Sequence, residues 1–335
     1  MKKIKFSIII PIRKANPYLK ETLEKLKHQS VKNFEILVIT DKISGTASPS
    51  EKRNLGAIKA KGEYLVFFDD DSFPNKNYFK NATKLVDKYK DISGFCGPCL
   101  TPPKDNIYQQ ASGLVWLSWL GSGGAGMYRN SIQKQRLVED YPSVNLIVKK
   151  SDFNLTGGFN TSYWPGEDTL LCLSLVKDLK KKILYNPLLI VYHHRRSVII
   201  PHLQQITRYA ITRGFFAKRF PENSRKIGYF IPSLFAIYIL LFSIVNLLNL
   251  YLPKELKYLI YLFNLPLYLY LSILFFTLIK FISQKNNIKV SLLATITIPI
   301  THIYYGILFL NGLFKKEIKF KPHAFDKKTG KYIGG

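Results

Sequence analysis

The glycines of this 335-residue sequence form no GxGxxG fingerprint and no Walker-type loop, so neither a dinucleotide site nor an ATPase site is indicated. Acidic residues are scarce: 22 Asp and Glu stand against 49 Lys and Arg, a net charge of +27. No recognised nucleic-acid module accompanies that charge, so no nucleic-acid partner is expected. Cysteine occurs three times. Two of the three form Cys96-Gly97-Pro98-Cys99, the spacing of a redox dithiol. Pro102 and Pro103 follow at once, however, and no strong helical pattern begins where an activated thiol needs a helix N-terminus. A zinc site needs two further ligands, and the candidates His193 and His194 belong to no second cysteine pair. Structural thiols in a reducing compartment are the expectation. Nothing resembles a signal peptide: the apolar run Phe6 to Ile12 is short, rich in isoleucine and followed by Arg13, like a first strand. The soluble part is therefore expected to stay in the cytoplasm.

Long apolar runs are confined to the last third. Gly228 to Leu252, Tyr258 to Ile279 and Val290 to Phe314 contain no charged side chain, and each exceeds the ~20 residues that cross a bilayer. Between Lys177 and Lys226 lie twelve Lys or Arg against two acids, Asp178 and Glu222. A juxtamembrane basic block of this kind faces the cytoplasm, where anionic lipid attracts it. Arg195, Arg196, Arg208 and Arg213 could serve a pyrophosphate or a lipid headgroup, or be solvated interfacial charge. The expected organisation is an α/β domain over 1–200, a basic interfacial segment over 201–227, membrane helices at about 228–252, 258–280 and 290–314, and a basic tail over 315–335. Three crossings would put the seven lysines from Lys315 to Lys331 outside, against the positive-inside tendency. A break at Pro299 could instead make the last segment re-entrant, with His302 and Asn311 lining protein.

Within the first 200 residues, strand and helix patterns alternate. Phe6 to Pro11, Phe34 to Ile39 and Tyr64 to Phe68 read as strands, Pro17 to Gln29 and Ser50 to Lys61 as helices, with Ser50 as N-cap. That order describes a mostly parallel sheet of nucleotide-binding topology. The third strand runs into Asp69-Asp70-Asp71. Three adjacent carboxylates repel one another, and a divalent cation such as Mg²⁺ or Mn²⁺ relieves the repulsion while binding substrate phosphate. A solvated acidic turn has the same composition.

Taken together, Ser7-Ile8-Ile9-Ile10-Pro11, Glu35 to Asp41, Arg53-Asn54-x-Gly56, the Asp69 to Asp71 triplet, Gly157-Gly158-Phe159 and Gly166-Glu167-Asp168 resemble, in this order, family 2 glycosyltransferases of the GT-A fold. The resemblance covers roughly residues 4 to 215, and the apolar segments resemble the C-terminal anchors of some members. It implies a Rossmann-like GT-A domain followed by an α-helical membrane domain, and a nucleoside diphosphate sugar as donor. On that reading Pro11 and Asp41 line the nucleoside pocket. Asp69 and Asp71 hold the metal, Asp70 meets the ribose or sugar, and Arg53 meets the donor phosphates or pins the acidic loop. Asp168 is the base that deprotonates the acceptor hydroxyl, oriented by Glu167, and a single displacement inverts the anomeric centre. Without the resemblance, Glu167 and Asp168 read equally as the acidic first turn of a helix from Thr169 to Lys182. The resemblance further implies a donor or metal contact for His193.

Gln205-Ile206-Thr207-Arg208-Tyr209 resembles the Gln-x-x-Arg-Trp motif of processive polysaccharide synthases, with Tyr209 in place of Trp. Trp116, Trp119 and Asn145 complete the expected acceptor side, Trp116 and Trp119 lying in a glycine-rich stretch that could close over a donor or rest on the bilayer. Two departures stand out: Thr40 where many members have a first aspartate, and Ser174 where an arginine is frequent. The anchor implies a membrane acceptor, such as a lipid-linked glycan, a glycolipid or a surface polysaccharide. The rival readings are a processive synthase, a silent sugar-nucleotide-binding scaffold, and a membrane dithiol oxidoreductase.

Overall fold

The computed structural model describes residues 4–248, 253, 257–318 and 320–333. The expected first membrane segment therefore ends outside the described residues, at 249–252. By internal packing the chain forms two units: 1–102 with 128–194 and 317–335, and 103–127 with 195–316.

The strands are β1 (Phe6–Ile12), β2 (Phe34–Thr40), β3 (Tyr64–Phe67), β4 (Ser72–Pro74), β5 (Gly94–Cys96), β6 (Cys99–Leu100), β7 (Arg136–Val138), β8 (Leu146–Lys149), β9 (Ile183–Tyr185), β10 (Val191–His193), β11 (Ala324–Phe325) and β12 (Tyr332–Ile333). The helices of the first unit are α1 (Pro17–Lys27), α2 (Asp41–Ser44), α3 (Pro49–Lys59), α4 (Tyr78–Lys88), α7 (Lys150–Leu155) and α8 (Glu167–Leu173). Those of the second are α5 (Ile107–Leu117), α9 (Ile200–Arg219), α10 (Pro221–Ser224), α11 (Ile227–Leu248), α12 (Lys257–Ser283) and α13 (Ile288–Phe314). Helix α6 (Trp119–Asn130) straddles the division and is interrupted at Gly123, whose φ is +63°.

The main sheet has the order β2-β1-β3-β8-β5-β9-β7. Strands β1 and β2, β1 and β3, and β5 and β9 pair in parallel, while β8 and β7 run against their neighbours. Every residue of β1 is buried, which is why it reads as an unbroken apolar run. Its alternation sorts the core into two layers. Phe6, Ile8, Ile10 and Ile12 pack with Leu19 and Leu26 of α1 and with α4, whereas Ile9 packs with Ala57 of α3 and with Phe153 and Phe159. A second sheet, β4-β10-β6, brings β10 antiparallel to β4.

Several helix limits differ from the expected ones: α1 ends at Lys27 rather than Gln29, and α3 runs from Pro49 to Lys59 rather than from Ser50 to Lys61. Ser48, not Ser50, caps α3 by accepting from the Glu51 amide, because Pro49 at the first position has no N–H to satisfy. The helix expected from Thr169 to Lys182 is α8, which starts at Glu167 and then widens over Ser174–Asp178, where the Leu179 amide reaches back to the Ser174 carbonyl.

Candidate active site

The carboxyl ends of β1, β2 and β3 place Pro11, Asp41 and the Asp69–Asp71 turn along one edge of the sheet. That turn is closed by the Ser72 hydroxyl, which accepts from the Asp69 amide and donates to the Asp69 carbonyl. The register of β4 against β10 then sets Ser72 opposite His193. As a result one ligand atom each of Asp69, Asp71 and His193 lies within 4.8 Å of the others, and His193 Nε2 is 3.2 Å from Asp71 Oδ1. Two carboxylates and an imidazole suit a divalent cation of the Mn²⁺ or Mg²⁺ class. Asp70 turns aside to accept from Asn16 Nδ2 at 2.5 Å, and burial followed by the neighbouring Asp71 charge pushes its carboxyl above the usual range.

Arg53 joins this acidic turn to the second carboxylate pair. Its Nη2 donates to Asp69 Oδ1 at 2.7 Å and its Nη1 to Glu167 Oε1 at 2.9 Å, with the guanidinium over the Phe159 ring. Asn54 beside it clamps the glycine-rich turn in both directions, donating to the Phe159 carbonyl and accepting from the Phe159 amide, each at 2.8 Å. Gly158 there has φ +87°, and a Cβ on it would lie 2.7 Å from Asn54 Oδ1. Gly56 lets α3 settle on β1, since its Cβ would sit 2.5 Å from Ile9 Cγ2. Each residue of Arg53-Asn54-x-Gly56 thus has its own contact to make.

Glu167 and Asp168 begin α8 after Gly166. Burial, then the adjacent Asp168 charge, raises the Glu167 carboxyl to about 7 against the opposing pull of Arg53. Asp168 is also raised, by burial and then by Asp140. Its Oδ2 accepts from the Ser143 amide and its Oδ1 from the Thr169 amide. Asp140 is itself paired with Arg129 at 3.1 Å.

Asp41 is almost wholly buried, 1% exposed, and bound by Lys52 on Oδ1 and by the Tyr332 hydroxyl on Oδ2. Asn145, expected near an acceptor, is completely buried. Its amide accepts from Tyr78 and donates to the Gly97 and Leu189 carbonyls, so its polar atoms serve the strand junction. Trp116, Trp119, Gln205, Arg208 and Tyr209 belong to the second unit. There Trp116 meets Tyr209 edge to face at 6.4 Å, Gln205 donates to the Tyr209 hydroxyl, and Trp119 is largely exposed. Cys96 and Cys99 lie buried in β5 and β6, and burial pushes the Cys96 thiol well up, away from nucleophilic character. Sequence reasoning missed Asn16, Lys52, Arg129, Asp140 and Tyr332. Only Asn16 carried a local signal, the Asn-Pro start of α1, where its side chain also caps the Leu19 amide.

Arg53→Met leaves Glu167 buried beside Asp168 without its cation, and is expected to cost about 3–5 kcal/mol, the usual loss when one partner of a buried ion pair is removed. Thermal unfolding of the purified variant checks this, and an unchanged midpoint would show that the fork does not hold the site together.

No family model matches the chain. Among curated proteins, a poly(ribitol-phosphate) β-N-acetylglucosaminyltransferase, TarS of Staphylococcus aureus, is 27% identical over 111 residues, 26% of this chain and 19% of the relative. A dolichyl N-acetyl-α-D-glucosaminyl phosphate 3-β-D-2,3-diacetamido-2,3-dideoxy-β-D-glucuronosyltransferase of Methanococcus voltae is 23% identical over 243 residues, 64% of this chain and 74% of the relative. The chain thus spans about a fifth of the length of the TarS proteins it matches. Among solved structures, a mannosyltransferase from Pyrobaculum calidifontis in complex with GDP-Man and Mn²⁺ superposes with a TM-score of 0.52 at 15% identity, covering 94% of this chain and 88% of the other. The curated relatives of this chain are glycosyltransferases, and its own fold is of the GT-A type.

Proposed function

We propose that the protein is an inverting, metal-dependent glycosyltransferase that moves a sugar from a nucleoside diphosphate sugar to a membrane-associated acceptor. The observation that carries this reading is the Arg53 fork between Asp69, of the Asp69, Asp71 and His193 set, and Glu167, next to Asp168. Asp69, Asp71 and His193 would hold the cation, which when bound neutralises charge developing on a diphosphate leaving group. Asp168 takes the acceptor proton, and its raised affinity for a proton suits that task. Glu167 and Arg53 position the base and the acidic turn, Pro11 and Asp41 form the nucleoside corner, and Asp70 faces the ribose or sugar. Trp116, Trp119, Gln205, Arg208 and Tyr209, all in the second unit, are the candidates for binding the acceptor. The Pyrobaculum structure, with GDP-Man and Mn²⁺, and the Methanococcus relative, named for a dolichyl phosphate-linked sugar, support this choice of donor, metal and acceptor classes.

The second unit bears on topology. Helices α11, α12 and α13 are long and apolar enough to cross a membrane. Phe230, Ser233 and Phe235 of α11 meet Phe309, Gly306 and His302 of α13, so these two run antiparallel. Phe235 meets Tyr270 and Asn246 meets Asn264, so α11 and α12 also run antiparallel. Helix α13 folds back on α12 after a short link, with His302 bonded to Tyr270. Three helices tilted by no more than about 40° from one normal cannot all be mutually antiparallel, because two of them must point the same way. We therefore assign the two crossings to α11 and α12. Helix α13 runs alongside the interfacial α9, with Thr301 near His202, Tyr304 near Thr207 and the Lys315 carbonyl accepting from Lys218. The chain leaves the membrane on the side where it entered, which keeps the tail lysines with the catalytic unit in the cytoplasm.

Three outcomes are expected. With Mn²⁺ or Mg²⁺ and crude membrane lipid, the protein should release nucleoside diphosphate from one of a panel of sugar nucleotides. Chelator and Asp168→Asn should each abolish that release, whereas donor binding with no release from any donor would favour the scaffold reading. In the pH profile of kcat/KM, activity should fall as pH drops through the raised range of Asp168, above that of an ordinary aspartate. Asp140→Asn removes one anion and releases Arg129 toward Asp168, so the acidic limb should move to lower pH; an unmoved limb would argue against Asp168 as base. Finally, Thr329→Cys and Lys90→Cys should label with an impermeant maleimide from the same face of sealed vesicles, and labelling from opposite faces would restore three crossings.

A further inference from the structure

The tail after α13 returns to the first unit and lies against the nucleoside corner. Strands β11 and β12 form a hairpin whose turn is organised by Asp326, which accepts from the Lys328 amide and the Thr329 hydroxyl. The hairpin docks on the segment after Asp41. The Ala47 amide donates to the His323 carbonyl and the Phe325 amide to the Gly45 carbonyl, each at 2.9 Å, and Lys327 reaches the Ile43 carbonyl. At one end Phe320 packs beside Trp164 and bonds Ser162, in the loop before Gly166. At the other, the Tyr332 hydroxyl donates to Asp41 Oδ2 at 2.8 Å and Arg13, directly after β1, lies over the Tyr332 ring.

We propose that this hairpin is a strap over the nucleoside end of the donor site, with Tyr332 holding the Asp41 oxygen that the base or ribose of the donor engages. The inference rests on the reading of Asp41 as a nucleoside-binding residue. With the strap docked, Asp41 is 1% exposed, so no ligand reaches it until Tyr332 leaves. The strap is built to leave. None of its described residues from 320 to 333 is buried, and a lone two-stranded hairpin is marginally stable in water. Donor affinity is then reduced by the fraction of molecules with the tail undocked.

Binding of UDP, GDP, CDP and ADP to the full chain in detergent with Mn²⁺, measured by calorimetry, tests this. Tyr332→Ala should bind its preferred nucleotide on the order of tenfold tighter than the unaltered protein, the scale of one hydrogen bond to a charged group. Tyr332→Phe, which keeps the ring and loses the donor, should retain most of that gain. Thr46 and Ala324 face each other at a non-hydrogen-bonded antiparallel position, where Cα atoms approach to about 4.5 Å, close enough for a disulfide. Oxidised Thr46→Cys/Ala324→Cys should lose nucleotide binding and regain it on reduction. Equal binding by the oxidised and reduced forms, or weaker binding by Tyr332→Ala, would overturn the strap. No binding by any form, Tyr332→Ala included, would overturn the nucleoside reading of the site and the strap with it.

Discussion

A buried guanidinium must be matched by anions, and Arg53 finds them in Asp69, 16 residues along the chain, and Glu167, 114 residues along. Its planar fork fixes both distance and direction, which a flexible ammonium would not do. The position of Arg53 depends in turn on how α3 sits. Gly56 allows contact with Ile9, and Asn54 holds the turn that leads through Phe159 toward Glu167. The acidic turn at the end of β3 and the carboxylate pair at the start of α8 are therefore held by one face of one short helix. Burial raises the proton affinity of Glu167 and Asp168, and Arg53 opposes that rise without cancelling it.

Much of this was legible because it is local. The apolar run of β1, the carboxylates after β3 and the Arg53-Asn54-x-Gly56 spacing are patterns within a few residues, and each lies where the pattern put it. What escaped lacks such a pattern. Asn16 and Asp70 meet only because the strand order sets β1 beside β3, while Lys52 with Asp41 and Arg129 with Asp140 each pair eleven residues apart, across loops that no periodic pattern marks. The early widening of α8 had no proline or glycine to announce it between Thr169 and Lys182. Lys180, at φ +53°, makes there a turn that glycine usually makes.

The apolar helices show a similar division. Hydropathy located all three, since length and composition need no partner. Their relative direction is written in the polar residues they bury. Asn246 and Asn264 exchange two amide hydrogen bonds, and His302 bonds both Tyr270 and the Leu120 carbonyl. In an apolar medium such groups need each other, so they fix which faces meet. A count of apolar residues records none of this.

The contact between Tyr332 and Asp41 spans 291 positions of sequence. Synthesis proceeds from the N-terminus, so β1, β2 and Asp41 are made and can fold well before Tyr332 exists. Helices α11, α12 and α13 all lie between the two partners. A nascent chain therefore carries an uncovered Asp41 for as long as the apolar helices are being made and inserted. The covered form belongs only to molecules whose apolar helices have already been made.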